Sequence, residues 1–342
     1  MEKLVQLKSR FIRVENKKER GVLVSMKHIL FYILLLSVVY LSAVYALDRR
    51  AEGEEWVREQ QRYEKLVLLK GISMEYVKET YTQSGVYGLD WSPCGSWIIY
   101  EGKGLEILEV KTHRVINLSL EGRSPRWDPT GTKFIFERDG IIYLAHIEGL
   151  RVKQLIQLTR GTQPCFSPNG NYIAFIRNDH LIVRELKSGK ETVLQDALGI
   201  EPDWSPRGDY IAYTRLGPKG DFQGIELINF VNPKKRRMLV RTKINFKELQ
   251  EFTYSTPRWS PCGSLIVCEE TLWEYPRQSF AGKQIVLIKV SSGKVIRLTK
   301  EGCLSGWSPT WSPQGNAFAF GTRVVQIIRL ALRTVRQLKT VN

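Results

Sequence analysis

The chain is 342 residues long with a formal net charge of +16 at neutral pH. The surplus is spread along the sequence, and its one dense run, Lys234-Lys235-Arg236-Arg237, falls where a hairpin should turn, which argues against a nucleic-acid-binding stripe. Five cysteines, an odd number with no Cys-x-x-Cys spacing, argue against a disulfide framework or a zinc site.

Residues 1–27 form a basic segment, in which Lys3, Lys8, Arg10, Arg13, Lys17, Lys18, Arg20 and Lys27 outweigh Glu2, Glu15 and Glu19. Residues 29–47 follow as 19 uncharged, mostly apolar residues, long enough to cross a bilayer as a helix. The basic flank keeps the N-terminus in the cytoplasm and sends the rest of the chain across. Residues 28–47 therefore read either as a transmembrane helix acting as a permanent anchor, or as a signal peptide cleaved after Val44-Tyr45-Ala46. Met26-Lys27-His28 opens a complete signal by itself, so Met26 stands as an alternative start. Residues 48–84 read as a helical stalk: 54–70 is rich in helix formers, and Trp56, Tyr63, Leu66, Val67 and Leu69 recur near helical spacing.

From residue 85 onward one phrase returns six times: an aromatic, Ser or Asp, Pro, a free residue and Gly. It begins at Trp91, Trp127, Phe166, Trp204, Trp259 and Trp311, a period of 36 to 55 residues that marks a repeat architecture. Proline presets one turn dihedral and glycine accepts positive φ, so each phrase predicts a hairpin turn. Short apolar runs follow, such as Trp97-Ile98-Ile99-Tyr100 and Tyr172-Ile173-Ala174-Phe175, and these predict buried strands. A third and a fourth strand complete each repeat. Four antiparallel strands taken six times predict an all-β, six-bladed β-propeller over residues 85–342. The last repeat is expected to supply all four of its own strands, borrowing none from the N-terminus.

The phrase is preceded by Pro-x, as in Pro125-Arg126-Trp127 and Pro202-Asp203-Trp204. The resulting Trp-Ser-Pro-x-Gly-x-x-Ile-x-Phe pattern, WD-repeat-like in character, resembles the repeats of TolB-like propellers. That resemblance implies an extracytoplasmic, six-bladed propeller that binds proteins.

Residues for chemistry are sparse. No Gly-x-Ser-x-Gly elbow, calcium loop or phosphate-cradling glycine loop occurs, and His28, His113, His146 and His180 do not converge. The chain is expected not to be an enzyme and to use no cofactor or metal. Among the cysteines, Cys268 with Cys303 is the one pairing left open.

Binding has better candidates. With strands alternating in direction, the second-to-third loops and the links between blades share one face, opposite the Pro-x-Gly turns. There the connections lengthen at 242–257, 270–283 and 299–309, over blades 4 to 6. They carry Phe246, Phe252, Tyr254, Trp273, Tyr275, Arg277, Phe280 and Trp307, the residue types that interaction hot spots use. Glu248, Glu251, Glu269, Glu270 and Glu274 make this patch locally acidic, suited to a basic peptide or protein segment. The residues before each motif aromatic, among them Asp90, Arg126, Asp203 and Arg258, are expected to form a belt of ion pairs around the channel.

These features together predict a monomeric propeller, anchored in the inner membrane with its ring in the periplasm, or secreted. Its expected role is a non-catalytic module for a protein or peptide of a bacterial envelope, without nucleic acid. Two alternatives are a binder of envelope polysaccharide or lipid head groups, and a degenerate hydrolase-type propeller.

Overall fold

In the structure, a computed structural model that describes residues 72–275, 279–298 and 305–331, each Pro-x-Gly phrase is a hairpin turn closed by its own Ser or Asp. Ser92 Oγ accepts the Trp97 amide at 3.0 Å, and Ser167, Ser205, Ser260 and Ser312 accept those of Tyr172, Tyr210, Leu265 and Ala317 at 3.0–3.1 Å. In the second repeat Asp128 Oδ1 accepts the Lys133 amide at 2.9 Å. The six glycines have φ between +68° and +79°, where a Cβ is strained. The turns also nest: a Cβ on Gly131, Gly170, Gly208, Gly263 or Gly315 would lie 3.3–3.6 Å from the turn proline of the preceding repeat.

Apart from a single 3-10 turn at Lys78–Thr80, the regular elements among the described residues are strands. The first repeat shows the plan, an antiparallel meander of Tyr87–Trp91, Trp97–Gly102, Gly104–Glu109 and Val115–Asn117. The first strands of the six repeats are Tyr87–Trp91, Arg123–Trp127, Thr162–Phe166, the end of Glu191–Trp204, Gln250–Trp259 and Trp307–Trp311. Each touches the next and the sixth touches the first, so the six close a cycle around an axial channel. Glu191–Trp204 serves two repeats: its beginning pairs with His180–Glu185 and its end with Tyr210–Leu216.

Closure corrects the sequence reading. The sixth sheet takes its outermost strand from Ile72–Val77, paired antiparallel with Val325–Leu330 from Ile72↔Leu330 to Val77↔Val325. The end of the segment read as a helical stalk is thus a sheet strand. Its half-buried Ile72 and Met74 alternate with an exposed Ser73 and with Glu75, the pattern of a half-buried strand. The basic segment, the apolar segment 28–47 and the helix expected over 54–70 lie outside the described residues.

The core lies between neighbouring sheets. Ile98, Tyr100 and Leu108 of the first repeat pack with Ala317, Ala319, Val325 and Ile327 of the sixth. Leu265, Val267, Ile285 and Leu287 of the fifth pack with Phe318, Phe320 and Ile328. Each Val, Leu, Ile or Phe among these removed from water contributes roughly 1.5–3 kcal/mol, and no sheet supplies both walls alone.

Candidate functional site

Each innermost strand carries the same irregularity. Gly88, Ser124, Gln163, Glu201, Thr256 and Ser308, three residues before each motif aromatic, have φ between +49° and +58°. The strand register breaks at each of these points, so each is a β-bulge that turns one residue toward the channel. Side chains of the preceding repeat tie four of the bulges down. Gln163, Glu201, Thr256 and Ser308 donate their amides to Glu137, Gln163, Glu201 and Glu269 at 3.1, 2.9, 2.7 and 2.7 Å. Sequence reasoning missed this ring, although its signal was available as a common position when the six repeats are aligned.

Two cavities lie at opposite ends of the inner strands. The one at the bulge end, about 100 Å³, is lined by all six bulge residues together with Glu101, Arg126 and Arg258. The one at the turn end, about 200 Å³, is lined by Pro168, Pro206 and Pro261, by Trp204, Trp259 and Trp311, and by Asp90, Arg126, Asp203, Arg258 and Thr310. Arg126 and Arg258 are common to both.

Between the cavities the structure brings the belt residues together. Arg126 Nη2 donates to Asp203 Oδ1 at 2.5 Å, and its Nε lies 3.3 Å from Asp90 Oδ1. Burial works against the charge on Arg126, but the two aspartates outweigh it and hold the guanidinium above the ordinary arginine value. The other carboxylate oxygens stitch repeats together: Asp90 Oδ2 accepts the Trp127 amide at 2.7 Å and Asp203 Oδ2 the Trp259 amide at 2.8 Å. Arg258 makes no such ion pair among the described residues: its Nη1 donates to the Pro257 carbonyl at 2.8 Å, and its buried Nε, like that of Arg126, has no hydrogen-bond acceptor. Cys165, at the same position in the third repeat, is pushed up to about 12 by burial and presents a thiol, not a thiolate.

A second cluster sits beside the bulges. Thr256 Oγ1 lies 3.0 Å from both Glu201 Oε1 and Glu269 Oε1. One hydroxyl hydrogen serves only one carboxylate at a time. Burial raises the Glu201 carboxyl above the ordinary range, the like charge of Glu269 raises it further, and Arg258 offsets part of the rise. Lys283 Nζ holds the far oxygen of Glu269 at 2.5 Å.

The long connections of the fifth repeat are largely strand. Lys243–Asn245 pairs with an extended Gln250–Trp259, and Leu265–Glu274 with Ser279–Lys289, so two hairpins project at one end of the sheet. Their tips meet where the Tyr275 amide reaches the Leu249 carbonyl at 2.8 Å. The aromatics divide accordingly. Tyr254 is 1% exposed and donates to Glu270 at 2.9 Å, so it belongs to the core and is no surface contact. Phe252 lies under the Arg297 guanidinium, 5.7 Å from ring centre to Cζ. Trp273 is held by Thr253 at 3.2 Å and stands edge-on to Phe280, while Tyr275 donates to Glu251 at 2.6 Å. Trp307 pairs with Tyr87 at 5.3 Å on the other side of the closing seam. Phe246 and Phe280 are the open ones, 80% and 60% exposed, with Ile244 and Leu249 on the same hairpins exposed too. Arg277 and Cys303 lie outside the described residues.

Among the described residues no group of three or more His, Cys, Asp or Glu is placed to hold a metal, and no helix is long and apolar enough to cross a membrane.

No known family signature and no curated protein matches the sequence. Solved structures do match. A putative TolB from Agrobacterium tumefaciens is similar at 18% identity and a TM-score of 0.53, over 76% of this chain and 97% of that one. An oligogalacturonate lyase from Vibrio parahaemolyticus is similar at 11% identity and a TM-score of 0.50, over 78% and 96%. The β-propeller domain of Cps50 from Myceliophteria thermophila has 12% identity and a TM-score of 0.44, over 70% and 95%. At these identities the likeness to the first two concerns the fold alone, an all-β one of the β-propeller kind.

Proposed function

We propose that this protein is a six-bladed, TolB-like propeller that works as a non-catalytic protein-interaction module, tethered to a membrane by residues 28–47 or exported by them. The cycle of six inner strands supports the blade count. One observation carries the binding role: Ile244, Phe246, Leu249 and Phe280, four exposed large hydrophobics, share the projecting hairpins of the fifth repeat. Ile244 and Phe280 stand on paired strands and Phe246 and Leu249 in the turn at 246–249, and burying such side chains is what a protein interface uses. Glu248, Glu251 and Glu274 on the same hairpins favour a basic peptide or protein segment.

Site-specific photo-crosslinking in native cells tests this, with probes at Phe246 and Phe280 and a control at Asn169 in a turn on the opposite face. The reading requires one protein captured from both hairpin probes and absent from the control. Capture of glycan or lipid instead would promote an envelope-polymer binder, and equal capture from all three sites would remove the hairpins as a specific surface.

A further inference from the structure

The belt has an internal two-fold pattern that its contacts break. In chain order the six positions are Asp90, Arg126, Cys165, Asp203, Arg258 and Thr310, so an Asp-Arg pair recurs after three repeats. The backbone roles follow the pattern, since Asp90 and Asp203 each accept the amide of the tryptophan that follows the next arginine. The ion pairs do not follow it: Arg126 takes both carboxylates. Arg258 is left, among the described residues, with a single carbonyl for its Nη1 and a buried Nε without an acceptor. Burial, reinforced by the positive charge of Arg126, pulls its guanidinium below the ordinary arginine value, and Asp203 and Glu201 offset only part of that.

An arginine in a protein stays protonated, and a buried one is stabilised by an anion that accepts from its fork. The chemistry of that anion follows from its surroundings. The turn-end cavity sets two aspartates against two arginines and is neutral as it stands, so a single added negative charge is opposed less than a dianion. A planar carboxylate fits the guanidinium fork, as the pairing of Arg126 with Asp203 shows in the same belt. Trp204, Trp259 and Trp311 line this cavity and give it apolar walls for a carbon chain. A volume of about 200 Å³ accommodates a carboxylate with a short chain behind it. The bulge-end cavity, about 100 Å³ with Glu101 and Glu201 beside the same two arginines, offers half that room.

We propose that Arg258 binds the carboxylate of a monoanionic ligand entering the channel from the turn face, whether that carboxylate belongs to a free acid or to a polypeptide. This site lies away from the hairpins of the fifth repeat and stands or falls separately from them.

Calorimetric titration of the full chain in detergent at low salt tests it, with propionate, its neutral match propionamide, and inorganic phosphate as probes. Saturable binding of propionate is expected, with propionamide and phosphate at least about tenfold weaker. Arg258→Lys keeps the charge without the fork and should weaken propionate about tenfold, and Arg258→Gln should abolish binding. A Gly-Ala-Ala peptide with a free C-terminus, set against its amide, separates the two sources: tighter binding than propionate assigns the site to a polypeptide carboxylate, weaker to a free acid. No saturable binding of propionate or free-acid peptide by the wild-type chain, or unchanged affinity in Arg258→Lys, would overturn the assignment. Arg258→Lys decides the matter if Arg258→Gln does not fold.

Discussion

Glu75 and Arg329 stand 254 residues apart in the chain, yet Glu75 Oε2 accepts from Arg329 Nη2 at 2.8 Å and from Nε at 3.1 Å. The other oxygen of Glu75 lies 2.7 Å from His113 Nε2, so one carboxylate joins the closing strand to both the last repeat and the first. Backbone pairing, not this charge, holds the seam. Glu75→Ala should cost about 0–1 kcal/mol, because Arg329 is half exposed and the pair is screened. Replacing Ile72–Val77 with a Gly-Ser stretch should instead leave Val325–Leu330 as an open edge and drive self-association. Thermal melts and light scattering of the two variants measure the contrast.

Arg126 is the hub of the belt. Removing its charge leaves Asp90 and Asp203 with only the more distant Arg258 as counter-charge, in a site where all three side chains are at most 13% exposed. Arg126→Met should lose about 3 kcal/mol in denaturant unfolding. Asp203→Asn should lose less, since an amide oxygen still accepts the Trp259 amide. A belt that contributed nothing would show wild-type midpoints for both.

Glu201 gives stability a pH dependence of defined sign. Its carboxyl is raised in the folded protein by burial and by Glu269, so the folded state holds that proton more tightly than the unfolded chain. The stabilisation is complete below the unfolded value, about 4.3, and is lost as pH rises through the raised folded value. Glu201→Gln removes this titration. Its melting temperature should therefore gain on that of the wild type between about pH 4 and pH 8, and parallel curves would show that the pair does not titrate there.

Two glycines separate conformation from space. Gly140 has φ +71° with nothing within 4 Å of an added Cβ, so Gly140→Ala should cost only the left-handed penalty, about 1–2 kcal/mol. At Gly321 a Cβ would lie 1.8 Å from the Val86 carbonyl oxygen, a backbone atom that cannot step aside. Gly321→Ala should cost about 3 kcal/mol or more by prying the sixth repeat from the first. Comparable losses at both sites would mean that the close approach at Gly321 is relaxed in solution.

What was legible in the sequence were the features that repeat. The turn phrase is visible because a side-chain oxygen, a proline and a glycine each perform a fixed task there, six times over. The central strands show because both faces are buried, as in Ile98-Ile99-Tyr100. The closing strand Ile72–Val77 was not legible because an outermost strand has a single neighbour and keeps polar residues on one face. The hairpins of the fifth repeat read as loops because Thr271, Glu269 and Glu270 interrupt the apolar run, and those groups are buried by Thr256, Lys283 and Arg297 from other strands. The belt positions were visible as the residue before each aromatic. That Arg126 takes both aspartates and Arg258 neither is a matter of which guanidinium reaches across the channel, and adjacency in sequence does not encode it.

The borrowed strand also sets a timetable. Ile72–Val77 leaves the ribosome before any repeat is complete, while its partner Val325–Leu330 is made some 250 residues later. At roughly 5–20 residues per second the first strand waits on the order of 10 to 50 s for a partner. A chain that ends prematurely, anywhere before residue 325, therefore keeps a sticky N-terminal strand with nothing to receive it, so quality control can recognise an unfinished ring by its first element.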